Sequence, residues 1–220
     1  MKLIARIAPI GLLFSTACSD VEAPDGCHYH GDELHCDDNH GLATTMVLHF
    51  TPEGGGDTLS FSWSDPNNDA NPVIDTIYLP DATDHNHHDA LTYTLDIEIL
   101  NELEDPIEDV TVDIEDQADQ HQFFFTGSAV QSDATGNNPD AIIAQSYADT
   151  DANGLPVGLT STIDTLAWGS GELTISLRHI PLENGESLKT AGMAETVATD
   201  GVSALPGASD IEVTFPIEVE

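Results

Sequence analysis

Three histidines and two carboxylates lie between two cysteines in the run Cys27-His28-Tyr29-His30-Gly31-Asp32-Glu33-Leu34-His35-Cys36. Neutral imidazole is a ligand for zinc, copper and nickel. A closed loop has already lost part of the chain entropy that gathering ligands around an ion would cost. Cys27 and Cys36 would supply the closure, because two cysteines in an oxidising compartment are expected to pair as a disulfide. His28, His30 and His35 are therefore predicted metal ligands. Open thiols would make a Cys2His2 set, but the spacing fits no zinc finger. The plainer alternative is a polar tether whose histidines do nothing.

A second cluster, Asp84-His85-Asn86-His87-His88-Asp89, precedes an alternating run from Leu91. In an extended loop His85 and His87 share a side, and His88 joins them only if the chain curls. Asp84, His85, His87, His88 and Asp89 form the second predicted metal set, against the alternative of a polar turn. Eight of the ten histidines precede Ala90, a skew that core packing does not explain. The other two, His121 and His179, fall at a helix–strand junction and on an apolar strand face. Both are assigned to structure.

Asp149-Thr150-Asp151-Ala152-Asn153-Gly154 puts oxygen ligands at alternate positions and glycine at the sixth, as an EF-hand loop begins. Thr160 stands where the twelfth-position glutamate belongs, so a complete EF-hand is excluded. Asp149, Asp151 and Asn153 remain candidates for a looser calcium loop. Asp65-Pro66-Asn67-Asn68-Asp69 alternates in the same way without the glycine, and such turns are common without metal. No Gly-x-Ser-x-Gly elbow, His-Glu-x-x-His pair or phosphate-cradling loop is present. The expectation is a protein that is not an enzyme, with zinc or a similar transition metal as cofactor and calcium as a second candidate.

The chain begins with Lys2 and Arg6, an apolar stretch from Ile7 to Phe14, and Ser15-Thr16-Ala17-Cys18. This pattern predicts a secretory signal over 1–17. Three small residues before a cysteine resemble the bacterial lipobox, with Ser15 where leucine is usual, so Cys18 is the expected lipidation site. Plain cleavage with a spare thiol is the alternative. Lipidation would anchor the exported protein at a membrane, and Ser19 after the cysteine favours the outer membrane, facing the periplasm or the cell surface. Of four basic residues, Lys2 and Arg6 would leave with the signal. Arg178 and Lys189 would then face forty acids, a formal charge of −38 against −36 for the whole chain. That excludes nucleic acid as a partner and makes compaction depend on salt or bound cations.

Residues 18–42 read as a histidine-rich tether carrying the disulfide loop, and 43–220 as a single β-domain. Met46, Leu48 and Phe50 alternate and are answered by Leu59, Phe61 and Trp63 after a Gly-rich turn. Leu91 to Ile99, Val157 to Ile163, Leu173 to His179 and Ile211 to Val219 alternate likewise. Ile107, Val110, Ile114 and Ala118 instead recur at helical spacing, with Asp105 and Pro106 as start signals. The prediction is a mainly β fold: an antiparallel sandwich or barrel of about eight strands with one acidic helix over about 106–120. Stretches 128–140 and 181–209 read as long loops.

His121-Gln122-Phe123-Phe124-Phe125, the run Asp149 to Leu159, Gly171 to His179 and Asp210 to Phe215 together resemble a little-studied family of acidic lipoproteins. The family is frequent in Bacteroidetes and often found with TonB-dependent outer-membrane receptors, and the resemblance covers roughly residues 44–220. Some members carry the label of a type 1 periplasmic-binding fold, which would bring alternating β–α units that this periodicity does not show. The resemblance implies an accessory of an uptake system, with an outer-membrane receptor as partner. The expected function is thus an exported lipoprotein that binds a transition metal, zinc by preference, for such a system. The alternative is a non-enzymatic interaction or structural β-domain, calcium-stabilised, that partners the receptor.

Overall fold

The computed structural model describes residues 42–80 and 91–220 in full, and the backbone pairing of 27–30 with 33–36. Its contacts divide the chain into two units, Met1–Asp37 and Asp38–Glu220. In the first, β1 (Cys27–His30) and β2 (Glu33–Cys36) form an antiparallel hairpin. The register sets Cys27 opposite Cys36, His28 opposite His35 and His30 opposite Glu33.

The second unit is built from alternation. It begins with β3 (Thr45–Pro52), β4 (Leu59–Ser64), β5 (Val73–Ile74), β6 (Ile77–Leu79) and β7 (Thr92–Asn101). Then come β8 (Glu108–Asp109), α1 (Thr111–Asp116), β9 (His121–Thr126), β10 (Val130–Gln131) and β11 (Ile143–Tyr147). The chain closes with β12 (Thr160–Thr165), β13 (Gly169–His179), β14 (Leu182–Glu183), β15 (Glu186–Ser187), α2 (Met193–Asp200) and β16 (Ala208–Val219). One sheet runs β10-β11-β12-β7-β3-β4-β5, with β8 also on β7, and the other runs β6-β16-β13-β9. Pairing is antiparallel except for two short parallel contacts, β10 with β11 and β16 with β6.

The two sheets share one core. Met46, Leu48 and Phe50 of β3 and Tyr93, Leu95, Ile97 and Ile99 of β7 meet Phe123, Phe125, Leu173, Ile175, Val213 and Phe215 from the other side. Among the described residues the sheets remain separate ladders, so the closure is that of a sandwich. The chain passes from one sheet to the other between Ile74 and Ile77, where β5 pairs with β4 and β6 pairs with β16.

Three expectations need correction. The helix over 106–120 is shorter: α1 covers Thr111–Asp116, followed by a 3-10 turn at Ala118–Gln120. Glu108 and Asp109 are taken by pairing with the end of β7, and Ile107 is exposed, so the apolar stripe consists of Val110, Ile114 and Ala118 alone. The stretch 181–209 is not a plain loop. It holds the β14–β15 hairpin and α2, whose Met193, Ala194 and Val197 cover the outer face of β9 and bury Phe124 in a second small core. This explains why Phe123, Phe124 and Phe125 are all buried where alternation would expose the middle one. The strand number exceeds eight because two-residue strands fill the edges.

Arg178 and Lys189, the two basic residues among the described ones, are both buried. Arg178 donates to the carbonyls of Leu205 at 2.6 Å, Gly207 at 2.5 Å and Pro206 at 3.1 Å, and reaches Ser209 Oγ at 3.3 Å. One guanidinium thereby closes the turn that enters β16. At Gly207 (φ +85°) a Cβ would overlap the His179 carbonyl, so this turn lies flat against β13. Arg178→Met should cost about 3 kcal/mol in urea unfolding, because it leaves buried carbonyls without donors. Arg178→Lys should recover little, since a point charge cannot span what the fork spans. A lysine variant within about 0.5 kcal/mol of wild type would dismiss the clamp.

Candidate metal centre

His121 and His179 stand directly opposite each other in the β9–β13 register. They share the inner face with Phe123, Phe125, Leu177 and Ile175, at the point where the apolar rows end. On its other side β13 pairs with β16: Leu177 faces Ile211, and Arg178 faces Ser209. Asp210 is the residue skipped in this shift, a bulge position. Alternation from Ile211 would put Asp210 on the outer face, and the extra residue turns it back towards the histidines.

The three side chains converge. One ligand atom from each of His121, His179 and Asp210 lies within 4.8 Å of the other two. The imidazole rings are 4.8 Å apart between centroids, and His121 Nε2 lies 3.8 Å from Asp210 Oδ2. His121 is fully buried, and its Nδ1 is 2.9 Å from the Gln117 carbonyl. A carbonyl only accepts, so Nδ1 carries the proton, and in the neutral ring Nε2 is the nitrogen able to ligate a metal. Ligating histidines commonly donate their second nitrogen to a backbone carbonyl in this way. Tetrahedral zinc at ~2.0–2.1 Å from nitrogen and oxygen would set ligand atoms about 3.3 Å apart. Ligand atoms within 4.8 Å of one another would have to draw closer to reach that spacing.

His179 and Asp210 also line a cleft of about 420 Å³ at this end of the sandwich, together with Leu42, Ile99, Val110, Ile114, Leu177 and Pro181. His121 is not among the lining residues and closes the group from within.

The sequence-predicted sites fare differently. Asp84, His85, His87, His88 and Asp89 lie outside the described residues, as does Cys18. Of His28, His30, His35, Cys27 and Cys36 only the backbone pairing is described. His49 is engaged on the outer face of β3, with Ser60 Oγ at 2.9 Å and Glu98 Oε2 at 3.3 Å. Sequence reasoning assigned His121 and His179 to structure. The available signal was that each ends an apolar alternation, which puts both at one edge of the core once the strands pair. Nothing in the sequence marked the bulge that brings in Asp210.

Asp149, Asp151 and Asn153, the candidates for calcium, lie together in one loop whose carboxylates have partners within the protein. Asp149 accepts from the N–H groups of Gly158 and Thr160. Asp151 Oδ1 accepts from Asn153 and Leu155, and Lys189 Nζ lies 3.1 Å from Oδ2 while donating to Ala118 O at 2.8 Å. Asp65 similarly caps the N–H groups of Asp69 and Ala70 in its own turn. Tyr147 donates to Phe123 O at 2.8 Å, and burial drives its phenol far above the ordinary range, so it acts as a neutral donor.

Burial alone would raise the Asp151 carboxyl, but the Leu155 and Asn153 N–H groups and Lys189 outweigh it and hold it below the usual range. Burial pushes Lys189 below the usual lysine range, against the pull of Asp151, Asp149 and Asp119. Because the folded value of Asp151 is the lower one, its contribution is complete above the unfolded value of ~3.9 and is lost as pH falls through the folded value. For Lys189 the burial cost is present below its folded value and is relieved as pH rises through it. Asp151→Asn should therefore lose about 3 kcal/mol at pH 7, a gap that narrows as the pH drops below about 4. Urea unfolding at pH 7 and pH 3 measures this, and an equal gap at both would mean the carboxylate charge does not close the loop.

Compared with protein-family models, curated proteins and solved structures, the chain matches none.

Proposed function

We propose that this protein binds a divalent transition metal, zinc by preference, at His121, His179 and Asp210. The observation that carries this reading is the cross-strand histidine pair with a bulged aspartate beside it, on three neighbouring strands of one sheet. Two imidazoles and a carboxylate suit zinc with one position left open, as in catalytic and exchange sites rather than closed structural ones. The same set suits ferrous iron, so the metal is decided by competition. His28, His30 and His35 add a second place of capture, where the register sets His28 opposite His35 and His30 opposite Glu33. A disulfide between Cys27 and Cys36 fits their position opposite each other in the register. Export, lipidation at Cys18 and service to a TonB-dependent receptor complete the proposal, resting on the signal pattern and the family resemblance.

Calorimetric titration of the mature chain with zinc, and with iron(II) in competition, should give a submicromolar site, about −8 kcal/mol or better. Asp210→Asn and His179→Gln, at positions that are not fully buried, should each weaken that site by at least about tenfold, the range seen on loss of a metal contact. Changing His28, His30 and His35 together to alanine should leave it intact. Zinc at a hundredfold excess over Kd should stabilise the fold by about 2.7 kcal/mol. Zinc affinity indifferent to both Asp210 and His179 would remove the centre and leave the hairpin as the metal site. Binding no tighter than millimolar in every variant would instead favour the interaction-module reading.

A further inference from the structure

His179 and Asp210 line a cleft whose other lining residues are mostly apolar, and the charges there dictate what fits. Among the described residues the cleft contains no lysine or arginine, and Asp210 is its one carboxylate. Without a metal the cleft is a negative mouth on a strongly acidic protein, and it repels anions. A divalent ion held by two neutral imidazoles and Asp210 leaves one net positive charge at the inner end of the cleft. Beyond it Leu42, Ala43 and Pro181 present apolar surface, and the buried side chains of Ile99, Val110 and Ile114 lie behind them. The volume of about 420 Å³ lies in the range of small-molecule sites, which combine apolar walls with a few polar anchors.

We propose that the metal-loaded cleft binds a small aliphatic carboxylate, its head on the open coordination position and its tail along Leu42, Ala43 and Pro181. This rests on the metal reading of His121, His179 and Asp210 and names the ligand class of that centre. Two features make it specific. The head requires the metal, since nothing else in the cleft is positive. The tail is recognised by apolar burial, so affinity rises with chain length until the cleft is full.

The test uses the mature chain from Cys18, so that the segment ahead of Leu42 is present. Zinc binding is measured first. Butyrate, hexanoate and octanoate are then titrated into zinc-loaded and EDTA-stripped protein. The expected result is binding to the zinc form only, tightening about fourfold per added methylene until the cleft is filled. Leu42→Asn, at an exposed position of the wall, should weaken hexanoate at least severalfold while zinc affinity stays at the wild-type value. Zinc binding without any carboxylate binding would overturn the inference and leave the metal centre standing. Equal binding with and without zinc would overturn it too, because the cleft would then act by apolar contact alone. Absence of zinc binding would take down both.

Discussion

The Arg178 guanidinium on the carbonyls of Leu205, Pro206 and Gly207 is the contact on which the end of the sandwich that carries His121, His179 and Asp210 depends. An acidic chain of this kind repels itself at every surface, and a cation placed in solvent would be screened and contribute little. Both bases among the described residues are instead buried, each satisfying carbonyls that the sheets leave over. Lys189 does for the 149–158 loop what Arg178 does for the entry to β16, tying Asp151 and Ala118 across sequence separations that strand pairing does not bridge. The protein uses its scarce positive charge as internal fastening, and its outer faces stay negative.

Much of the sandwich was legible because period-2 alternation is enforced by burial on one face. Met46 to Phe50, Tyr93 to Ile99 and Ile211 to Val219 align with the core row by row. The failures have a physical pattern. Strands of two residues, such as β5 and β8, carry too few side chains to show a period. The helical spacing of Ile107, Val110, Ile114 and Ala118 was real only in part, because the unfilled edge at the end of β7 recruited Glu108 and Asp109 as strand. Helix α2 lies between Gly192 and Gly201 and is eight residues long, too short for its apolar stripe to stand out from the Gly- and Ser-rich chain around it. The burial of Phe124 was its indirect trace, since an aromatic residue on the outer face of a strand calls for a cover.

The candidate site was harder to see. Histidine density drew attention to 28–35 and 84–89, where composition speaks but distant partners cannot be inferred. The centre at His121, His179 and Asp210 uses residues separated by up to 89 positions in the chain, so only strand order and register bring it together. Asp210 was hidden more deeply: its parity places it on the solvent face of β16, and one skipped residue reverses that. Asp149 and Asp151 accept from backbone N–H groups of their own loop, and the same spacing of oxygens would suit calcium. Oxygen-ligand spacing alone does not distinguish the two uses.

Arg178 and His179 are consecutive, so β13 directs one to each side of the sheet. On the outer side the guanidinium holds the turn over 205–209, and on the inner side the next residue offers its imidazole to the centre. Asp210 follows the same turn by one residue. Two of the three ligands are thus attached to backbone that Arg178 pins, and the third, His121, is oriented by the Gln117 carbonyl. Metal sites lose affinity when their supporting shell is loose, since the ion must then order its own ligands. Asp210 is carried by a bulge, while both imidazoles stand on paired backbone of β9 and β13. The clamp therefore fixes the backbone beside two of the three side chains, and the bulge alone sets the position of Asp210 between them.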